Sequence, residues 1–576
     1  MNKLHIFGIL ALAGMSLTSC NDFLNDNRFP MSQQTVNSDF WSNETNVQNQ
    51  INYFYEDFAG YGNGSSTNGT FYYSWLSDDQ CGRNTFADWK FKTVPSSSDS
   101  WNAPYREIRR ANEVIQGVES SSLNEAQKQN FIGLARMYRA RGYFDLVRRY
   151  GDVPLVTVPL DPSDDAELYG PRTARNQVMD FVLEDINYAC NNIATQSSKT
   201  TFSRDLAYAM KVEMCLFEGS YAKYHANDAA RAQKFFGEAV AAGEAIIGRY
   251  PVGNDYVALY KSVSTGEGGY PALTANSEVI FCKMYMQGIF MHSLQDYSSA
   301  SDGVAGITKD AFDSYLFLDG RPAATTTLDN TDAGVAEGDN AMSIANLLAV
   351  RDQRLAATTY DHICMPGMAY QAVNTTGGMW SMTGYGVAKF NNFTTLPNDV
   401  NTANRNYVCA PLFWGARVAL AIAEAKAELG TLTDADVNKY IKPLWERAGI
   451  DTSNLNVAYL SNMNDPRKDA DVSSLLWEIR RCRRCELIMD DDIRYWDLIR
   501  WHKLDKLDTT TNPNIVLGAN ITNSPVPGMA VTGNYLNCSY GNTRKFENKY
   551  YFYPVPSDQI QLNDKLTQNP GWGKAK

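Results

Sequence analysis

The chain has 576 residues, of which 44% are hydrophobic and 20% are charged, and its formal net charge is −12 at pH 7. This length and apolar content are enough for a large buried core. The negative charge argues against a nucleic-acid partner and against a basic patch lying on anionic lipid, because phosphate backbones and anionic membranes attract basic surfaces.

The first 20 residues have the pattern of an export signal that ends at an attachment site. Lys3 precedes an apolar run from Ile6 to Leu17, which is shorter than the ~20 residues of a membrane-spanning helix but suits a secretory signal. The run ends in Leu-Thr-Ser-Cys, which resembles the lipobox of bacterial lipoproteins. We therefore predict a signal peptide over residues 1–19 and acylation of Cys20. An ordinary signal peptide with an incidental cysteine is the alternative.

Apolar and small residues recur at intervals of three and four along several segments, which predicts helices. These segments are 102–118, 124–150, 178–193, 209–219, 229–250, 418–429 and 437–450. The second segment is expected to end at Gly151, before Pro154. Helix pairs of this length resemble tetratricopeptide-type units. We predict a helical scaffold mainly over residues 101–250 and 405–507.

Other regions are rich in Gly, Ser, Thr, Asn and Asp, with short strand-like bursts such as EVIFCKMYM and KYYFYPVP. Loops this long are usually functional or disordered. We expect ligand-binding regions mainly in 60–100 and 251–405, followed by a C-terminal segment over 508–576. Residues 20–576 are predicted to form one body that is mostly α-helical, with a few short strands.

The sequence offers no cofactor or metal pattern. Nine cysteines follow Cys20 without regular spacing, so a disulfide framework is not indicated. Cys482 and Cys485 form a CxxC inside a predicted helix with no partner pair, which argues against zinc. The five histidines show no paired spacing, and no catalytic serine, phosphate-loop or dinucleotide motif occurs. We predict no cofactor, no metal and no catalytic residues. The acidic stretch 329–340 fits no EF-hand, and structural calcium is left open.

Four ordered motifs carry a family resemblance. They are WNAPYREIRRANEVI, ARMYRARGYFDLVRRYGDVPLV, RRCRRCELIMDDDIRYWDLIRW and YYFYPVPSDQIQLNDKLTQNPGW. Together with the lipobox, they resemble the SusD/RagB family of Bacteroidetes glycan-uptake lipoproteins over essentially the whole mature chain. Two places depart from the family pattern: Cys482 lies where Glu-Arg is usual, and Asp490-Asp491-Asp492 replaces glutamate-glycine. We assign both to scaffold helices.

The resemblance implies a SusD-like fold and a non-catalytic role. The protein would be anchored by lipid to the outer membrane at the cell surface. It would capture an oligo- or polysaccharide and pass it to a SusC-like TonB-dependent transporter. A RagB-like importer component for peptides or glycopeptides is the main alternative, and a surface glycosidase is a remote one. The aromatic and charged residues of the motifs have a structural interpretation: Arg494, Trp496, Asp497 and Trp501 fall at helical spacing and are expected to brace the core.

Candidate ligand contacts follow from the chemistry of a sugar ring. Aromatic faces match its apolar C–H face, and polar side chains match its hydroxyls. We therefore expect exposed aromatic residues in polar loops, close to hydrogen-bonding groups. The predicted ligand-binding residues are Tyr72, Trp75, Asp78, Arg83, Trp89, Tyr285, Trp380 and Tyr385.

Overall fold

Two groups of helices, one in each half of the chain, form the framework of the molecule. The computed structural model describes residues 38–66, 69, 71, 76–81, 89–195, 198–299, 306–329, 331–332, 343–364, 381–392, 402–523 and 528–573. Helices α1–α8 are Ser38–Trp41, Glu44–Asn52, Asp99–Glu119, Glu125–Tyr150, Asp165–Leu168, Arg175–Asn192, Arg204–Tyr224 and Ala229–Ile247.

The middle of the chain contributes short helices, and the second half contributes the remaining long ones. Helices α9–α13 are Tyr256–Lys261, Leu294–Ser299, Lys309–Ser314, Ala345–Ala349 and Gln353–Thr358. Helices α14–α20 are Gly415–Glu428, Asp434–Asp436, Lys442–Arg447, Val457–Ser461, Ser474–Glu486, Ile493–Arg500 and Ser557–Leu562. A π-helical turn, Val437–Ile441, joins α15 to α16.

The long helices pack in an order that follows the chain. Helix α3 packs on α4, α4 on α6, α6 on α7 and α7 on α8. Helix α8 then packs on α14, and α14 packs on α18. The two groups therefore form a continuous helical array, and the prediction of a helical scaffold is confirmed.

Helix α4 shows how the sequence sets the ends of one of these elements. Asn124 accepts a hydrogen bond from the backbone N–H of Gln127, and the Gln127 side chain completes a capping box. The helix ends at Gly151, whose φ of 73° is a left-handed conformation that glycine adopts without a steric penalty. The predicted helix over 124–150 is confirmed.

The strands are short and form three small sheets. Strands β1–β7 are Val279–Lys283, Thr359–Cys364, Gly384–Val387, Ala410–Trp414, Leu517–Asn520, Val531–Thr532 and Tyr535–Asn537. Strand β1 pairs antiparallel with β4, β2 pairs antiparallel with β3, and β7 lies between β5 and β6. EVIFCKMYM thus contains β1. KYYFYPVP does not form a strand. Its first three residues belong to a 3₁₀ helix, Asn548–Tyr551.

The motif residues expected to brace the core do so. Arg494 donates to both oxygens of Asp78 at 2.7 and 2.8 Å. Asp497 accepts from Arg483 and Arg500, each at 2.8 Å. The Trp501 indole N–H lies 2.7 Å from a buried glutamate oxygen of α14. These side chains tie α18 and α19 to the rest of the helical array.

The assignment of Asp490-Asp491-Asp492 to a helix is wrong. Helix α18 ends at Glu486 and α19 begins at Ile493. Met489 and Asp491 between them have φ values of 62° and 53°, which interrupt a right-handed helix. The acidic run therefore forms the turn between α18 and α19.

Burial determines the chemical state of the cysteines. All nine cysteines after Cys20 are buried and free. Burial raises the pKa of the Cys482 thiol to about 11, and it raises the pKa of Cys485 as well. Among the described helices, none has the length and apolar content needed to cross a bilayer.

Candidate ligand-binding site

Several loops start and end beside one another around α10. The N–H of Gly64 donates to Met291 O at 2.9 Å. The Ser293 hydroxyl donates to Gly64 O at 2.8 Å and accepts from the N–H of Asn404 at 2.7 Å. The Gln295 side chain donates to the backbone oxygen of Phe390 at 2.8 Å. We call the residues 64, 291–295, 390 and 404 the loop base.

A second set of loop ends meets next to the loop base. The N–H of Cys81 donates to Gly306 O at 3.1 Å, and the N–H of Ser381 donates to Cys364 O at 2.7 Å. A Cβ placed on Gly306 would contact the Ser381 hydroxyl, so these two loop ends also touch. Helix α10 packs on β3, which follows Ser381. Loop ends that are separated by hundreds of residues along the sequence therefore lie in one part of the molecule.

An aromatic cluster fills the interior beneath the loop base. Tyr285 stacks on Phe290 with ring centroids 5.0 Å apart, and it makes a T-shaped contact with His292 at a centroid distance of 4.5 Å. Tyr61 contacts both His292 and Phe390 at 5.3 Å. Burial lowers the pKa of His292 to about 3, so this imidazole is neutral at physiological pH. The cluster gives the loops a rigid, uncharged support.

The expectation that Tyr285 is exposed is wrong. Its side chain is fully buried. Its hydroxyl donates to Gly62 O at 2.8 Å and accepts from the N–H of Tyr61 at 2.9 Å. Tyr285 follows β1 by two residues, and β1 is itself buried from Val279 to Cys282. Tyr285 therefore holds the 60–64 segment in place and offers no free face.

Trp89 and Tyr385 are also buried, contrary to expectation. The Trp89 ring stacks on Tyr550 at 4.3 Å, and its indole N–H donates to Lys545 O at 2.7 Å. Tyr385 lies in β3 and stacks on Phe312 at 4.5 Å. Both rings have a protein partner on one face and make core contacts.

Asp78 is likewise an internal residue and not an exposed polar contact. Burial alone would raise its pKa, but Arg484 and Arg494 outweigh burial, and the pKa lies far below its ordinary value. Asp78 is thus a permanently charged partner for two arginines of the scaffold. The predicted residues Tyr72, Trp75, Arg83 and Trp380 lie outside the described residues, as does Cys20.

A charged cavity of about 120 Å³ lies close to the aromatic cluster, and sequence reasoning missed it. Its lining includes two aromatic residues, Tyr61 and Phe71, and three charged residues, Arg141, Arg417 and Asp491. A cavity that is this polar and roomy suits ordered water. Its residues come from distant segments, so the sequence carries no local signal for it.

Asp491 is the unusual acid of this cavity. Burial and the neighbouring Asp492 raise its pKa to about 7. By contrast, Glu213 in the same cavity is ion-paired to Arg417, and Asp145 is ion-paired to Arg148 at 2.6 Å. The pKa of Asp145 is therefore lowered.

One hairpin at the surface exposes apolar side chains. Met286 and Phe290 bridge each other across a turn at Gly288, whose φ is 74°. Met286 is 47% exposed and Ile289 is 77% exposed. This tip follows directly from the buried Tyr285.

Two family models match the chain. The model described as "SusD family" matches residues 275–572. The model described as "Starch-binding associating with outer membrane" matches residues 22–216.

Solved structures share the fold. A SusD-like carbohydrate-binding protein from Bacteroides fragilis has a TM-score of 0.68 at 22% identity, and the match covers 92% of this chain and all of that one. Surface glycan-binding protein A from Bacteroides fluxus has a TM-score of 0.57 at 14% identity, with the same coverage of both chains. A laminarin-binding SusD-like protein has a TM-score of 0.53 at 19% identity, again with 92% and 100% coverage.

Curated relatives match over shorter stretches. SusD-like protein P38 from Formosa agariphila is 36% identical over 132 residues, which is 22% of this chain and 25% of the relative. A SusD-like protein from Bacteroides ovatus is 34% identical over 109 residues, 18% of this chain and 19% of the relative. The matched part thus spans a quarter or less of the length of these relatives.

Proposed function

Because the chain belongs to the SusD family, we propose that it is a surface lipoprotein that binds an oligo- or polysaccharide without cleaving it. The observation that carries this proposal is the convergence of loop ends at the loop base. Loops that begin and end together on a rigid support can form one joint binding surface. The glycan-binding proteins that share this fold support a carbohydrate ligand.

The proposed contacts are the predicted loop residues that remain after the buried ones are set aside. Tyr285, Trp89 and Tyr385 are committed to packing, which leaves Tyr72, Trp75 and Trp380 as the aromatic candidates, with Arg83 as a polar one. An aromatic face covers the apolar side of a sugar ring, while hydrogen bonds to the hydroxyls largely replace bonds to water. Such a site gives modest affinity and tolerates a ligand longer than the protein.

Binding without cleavage is supported by the state of the carboxylates. Glycoside hydrolysis uses two carboxyl groups about 5–10 Å apart on either side of the bond, one of them protonated. In the charged cavity, Asp491 has the raised pKa, but Glu213 and Asp145 are tied to arginines. A carboxylate held in an ion pair has a lowered pKa and is therefore a weaker general base.

The proposal is tested by titrating the full mature chain with a panel of oligosaccharides in a calorimeter. Trp75→Ala and Trp380→Ala are each expected to weaken binding at least tenfold. Trp89→Phe is the matched control, because Trp89 is buried and its replacement should leave the affinity unchanged. Binding of peptides in place of glycans would favour a RagB-like importer. Unchanged affinity in both loop variants would overturn this binding site.

We further propose a lipid anchor at Cys20 and a transporter as the partner. Acylation at Cys20 would hold the body at the outer membrane, in keeping with the outer-membrane association in the description of the second family model. A SusC-like TonB-dependent transporter would receive the glycan. A Cys20→Ala protein is expected to leave the membrane fraction, and the wild-type protein is expected to copurify with such a transporter from solubilised outer membranes. Retention of the variant or absence of the transporter would contradict these two points separately.

A further inference from the structure

A small basic pocket lies between α18 and α19, far along the chain from the predicted ligand-binding loops. It has a volume of about 40 Å³. Trp477, Arg480, Arg481 and Arg484 line it from α18 at intervals of three and four residues, so they share one face of that helix.

The other elements around the pocket add more positive charge. Arg494 comes from α19, Arg467 from the segment before α18, and Lys503 and Lys506 from the segment after α19. Asp469 supplies the one carboxylate among the described residues that line the pocket. Basic groups therefore dominate the lining, although the chain as a whole is acidic.

Each cation that lines the pocket is ion-paired to a carboxylate. Lys503 pairs with Asp471 at 2.7 Å, and Lys506 pairs with Asp469 at 2.6 Å.

Two of the arginines are bound to their carboxylates on one edge only. Arg494 uses Nε and one terminal nitrogen for Asp78, at 2.7 and 2.8 Å. Arg480 uses Nη2 for Glu428 and for the Tyr224 hydroxyl, at 3.0 and 2.9 Å. Within the described part of the chain, Nη1 of Arg494 and Nη1 of Arg480 have no hydrogen-bond partner. Each guanidinium is thus held on one edge and has donors left on another.

Aromatic rings hold the cations in place. The Arg480 guanidinium lies 4.3 Å from the ring centre of Trp501, and the Lys506 ammonium lies 5.3 Å from that of Trp477. Such cation–π contacts restrict the side chains without using their N–H donors. The donors that these two cations do not use for Asp469 and Glu428 are therefore preorganised for a ligand that accepts hydrogen bonds.

From this geometry we propose that the pocket binds a tetrahedral oxyanion, a sulfate or phosphate group. Several fixed guanidinium donors suit the oxygens of such a group, because charge-assisted hydrogen bonds are short and strong. The volume of about 40 Å³ suits a group of this size. The site does not depend on the proposed function, since it uses none of the residues that we propose as glycan contacts.

The test is equilibrium dialysis of the full mature chain with radiolabelled sulfate at constant ionic strength. We expect saturable binding of one sulfate, with displacement by inorganic phosphate and not by chloride. A Lys503→Met/Lys506→Met protein should bind at least tenfold more weakly. A Lys503→Arg/Lys506→Arg protein keeps both charges and should bind within twofold of the wild type.

The matched control is Lys234→Met/Lys442→Met, which removes two exposed lysines from α8 and α16. Its sulfate affinity should equal that of the wild type. Absence of saturable binding, or equal loss in both methionine variants, would overturn the site. Competition by glucose 6-sulfate but not by glucose would show that the anion can be carried on a sugar. Competition by neither would assign the site to the free ion.

Discussion

Arg500 lies between Glu424 and Asp497, and it donates to them at 2.7 and 2.8 Å in the interior. All three side chains are almost completely buried. A buried arginine of this kind is tolerated only while its carboxylates remain. Asp497 and Arg500 of the family motif therefore stabilise the fold.

Replacing one of these carboxylates should destabilise the protein strongly. Asp497→Asn leaves Arg483 without a charged partner and Arg500 with Glu424 alone, and we expect a loss of about 3–5 kcal/mol in the free energy of unfolding. The exposed Asp180, which pairs with Arg231 and Lys234, gives the control. Asp180→Asn should cost less than about 1 kcal/mol. Urea denaturation measures both, and equal losses would contradict this role of burial.

The ion pairs of Asp310 should stabilise the protein less at acid pH. Burial alone would raise its pKa, but Arg467 and Arg484 lower it to about 2, compared with about 3.9 in an unfolded chain. Because the folded pKa is depressed, its stabilising contribution is present above pH 4 and is lost as pH falls towards 2. The stability deficit of Asp310→Asn should therefore be full at pH 6 and shrink below pH 4. A deficit independent of pH would contradict the assignment.

The sequence-based predictions of exposed aromatic residues were wrong for Tyr285 and Trp89. A tyrosine or tryptophan in a polar stretch has no signal that separates a core anchor from an exposed platform. Tyr285 and Trp89 occur in the predicted loop-rich regions and form hydrogen bonds in the interior with residues 224 and 456 positions away in sequence. Burial of this kind depends on tertiary contacts, which local composition does not encode.

Helices α7, α8 and α14 approach one another closely because glycines lie at their contacts. A Cβ on Gly219 would come within 2.7 Å of the Phe236 ring, and one on Gly243 would come within 2.5 Å of Ile422. Such distances are shorter than van der Waals contact, so any larger residue forces the helices apart. The two glycines thus set the spacing of the array.

Helix α8 provides a matched pair of substitutions for this claim. Gly243→Ala should destabilise the protein by about 1–3 kcal/mol, because the new methyl group overlaps Ile422. Gly237→Ala, in the same helix, meets no atom within 4 Å and should stabilise it by up to about 1 kcal/mol. Thermal and urea unfolding measure both changes. Equal effects of the two substitutions would contradict close packing at Gly243.

The long helices could be predicted because their signals are local. Apolar spacing, the Asn124 cap and Gly151 lie within or next to the helix that they define. The turn at Asp490-Asp491-Asp492 could not be predicted in this way. Residues other than glycine that adopt a positive φ have only a weak sequence signal. The same applies to the short strands, whose partners are far away along the chain.

At the scale of the whole molecule, the helical array supports a set of loops whose ends meet at the loop base. The hydrogen bonds that join Gly64 to Ser293, and Ser293 to Asn404, span 229 and 111 residues of sequence. Sequence patterns predicted loop-rich regions, but they did not predict the point where the loop ends meet. The basic pocket between α18 and α19 is different, because the spacing of Arg480, Arg481 and Arg484 already places them on one helix face.

The most direct test of binding without cleavage combines calorimetry with mass spectrometry on the same sample. We predict saturable binding of an oligosaccharide from the panel and its recovery at unchanged mass after prolonged incubation. Shortened products that disappear in an Asp491→Asn protein would contradict the central claim, because they would make the acid with the raised pKa a catalytic group.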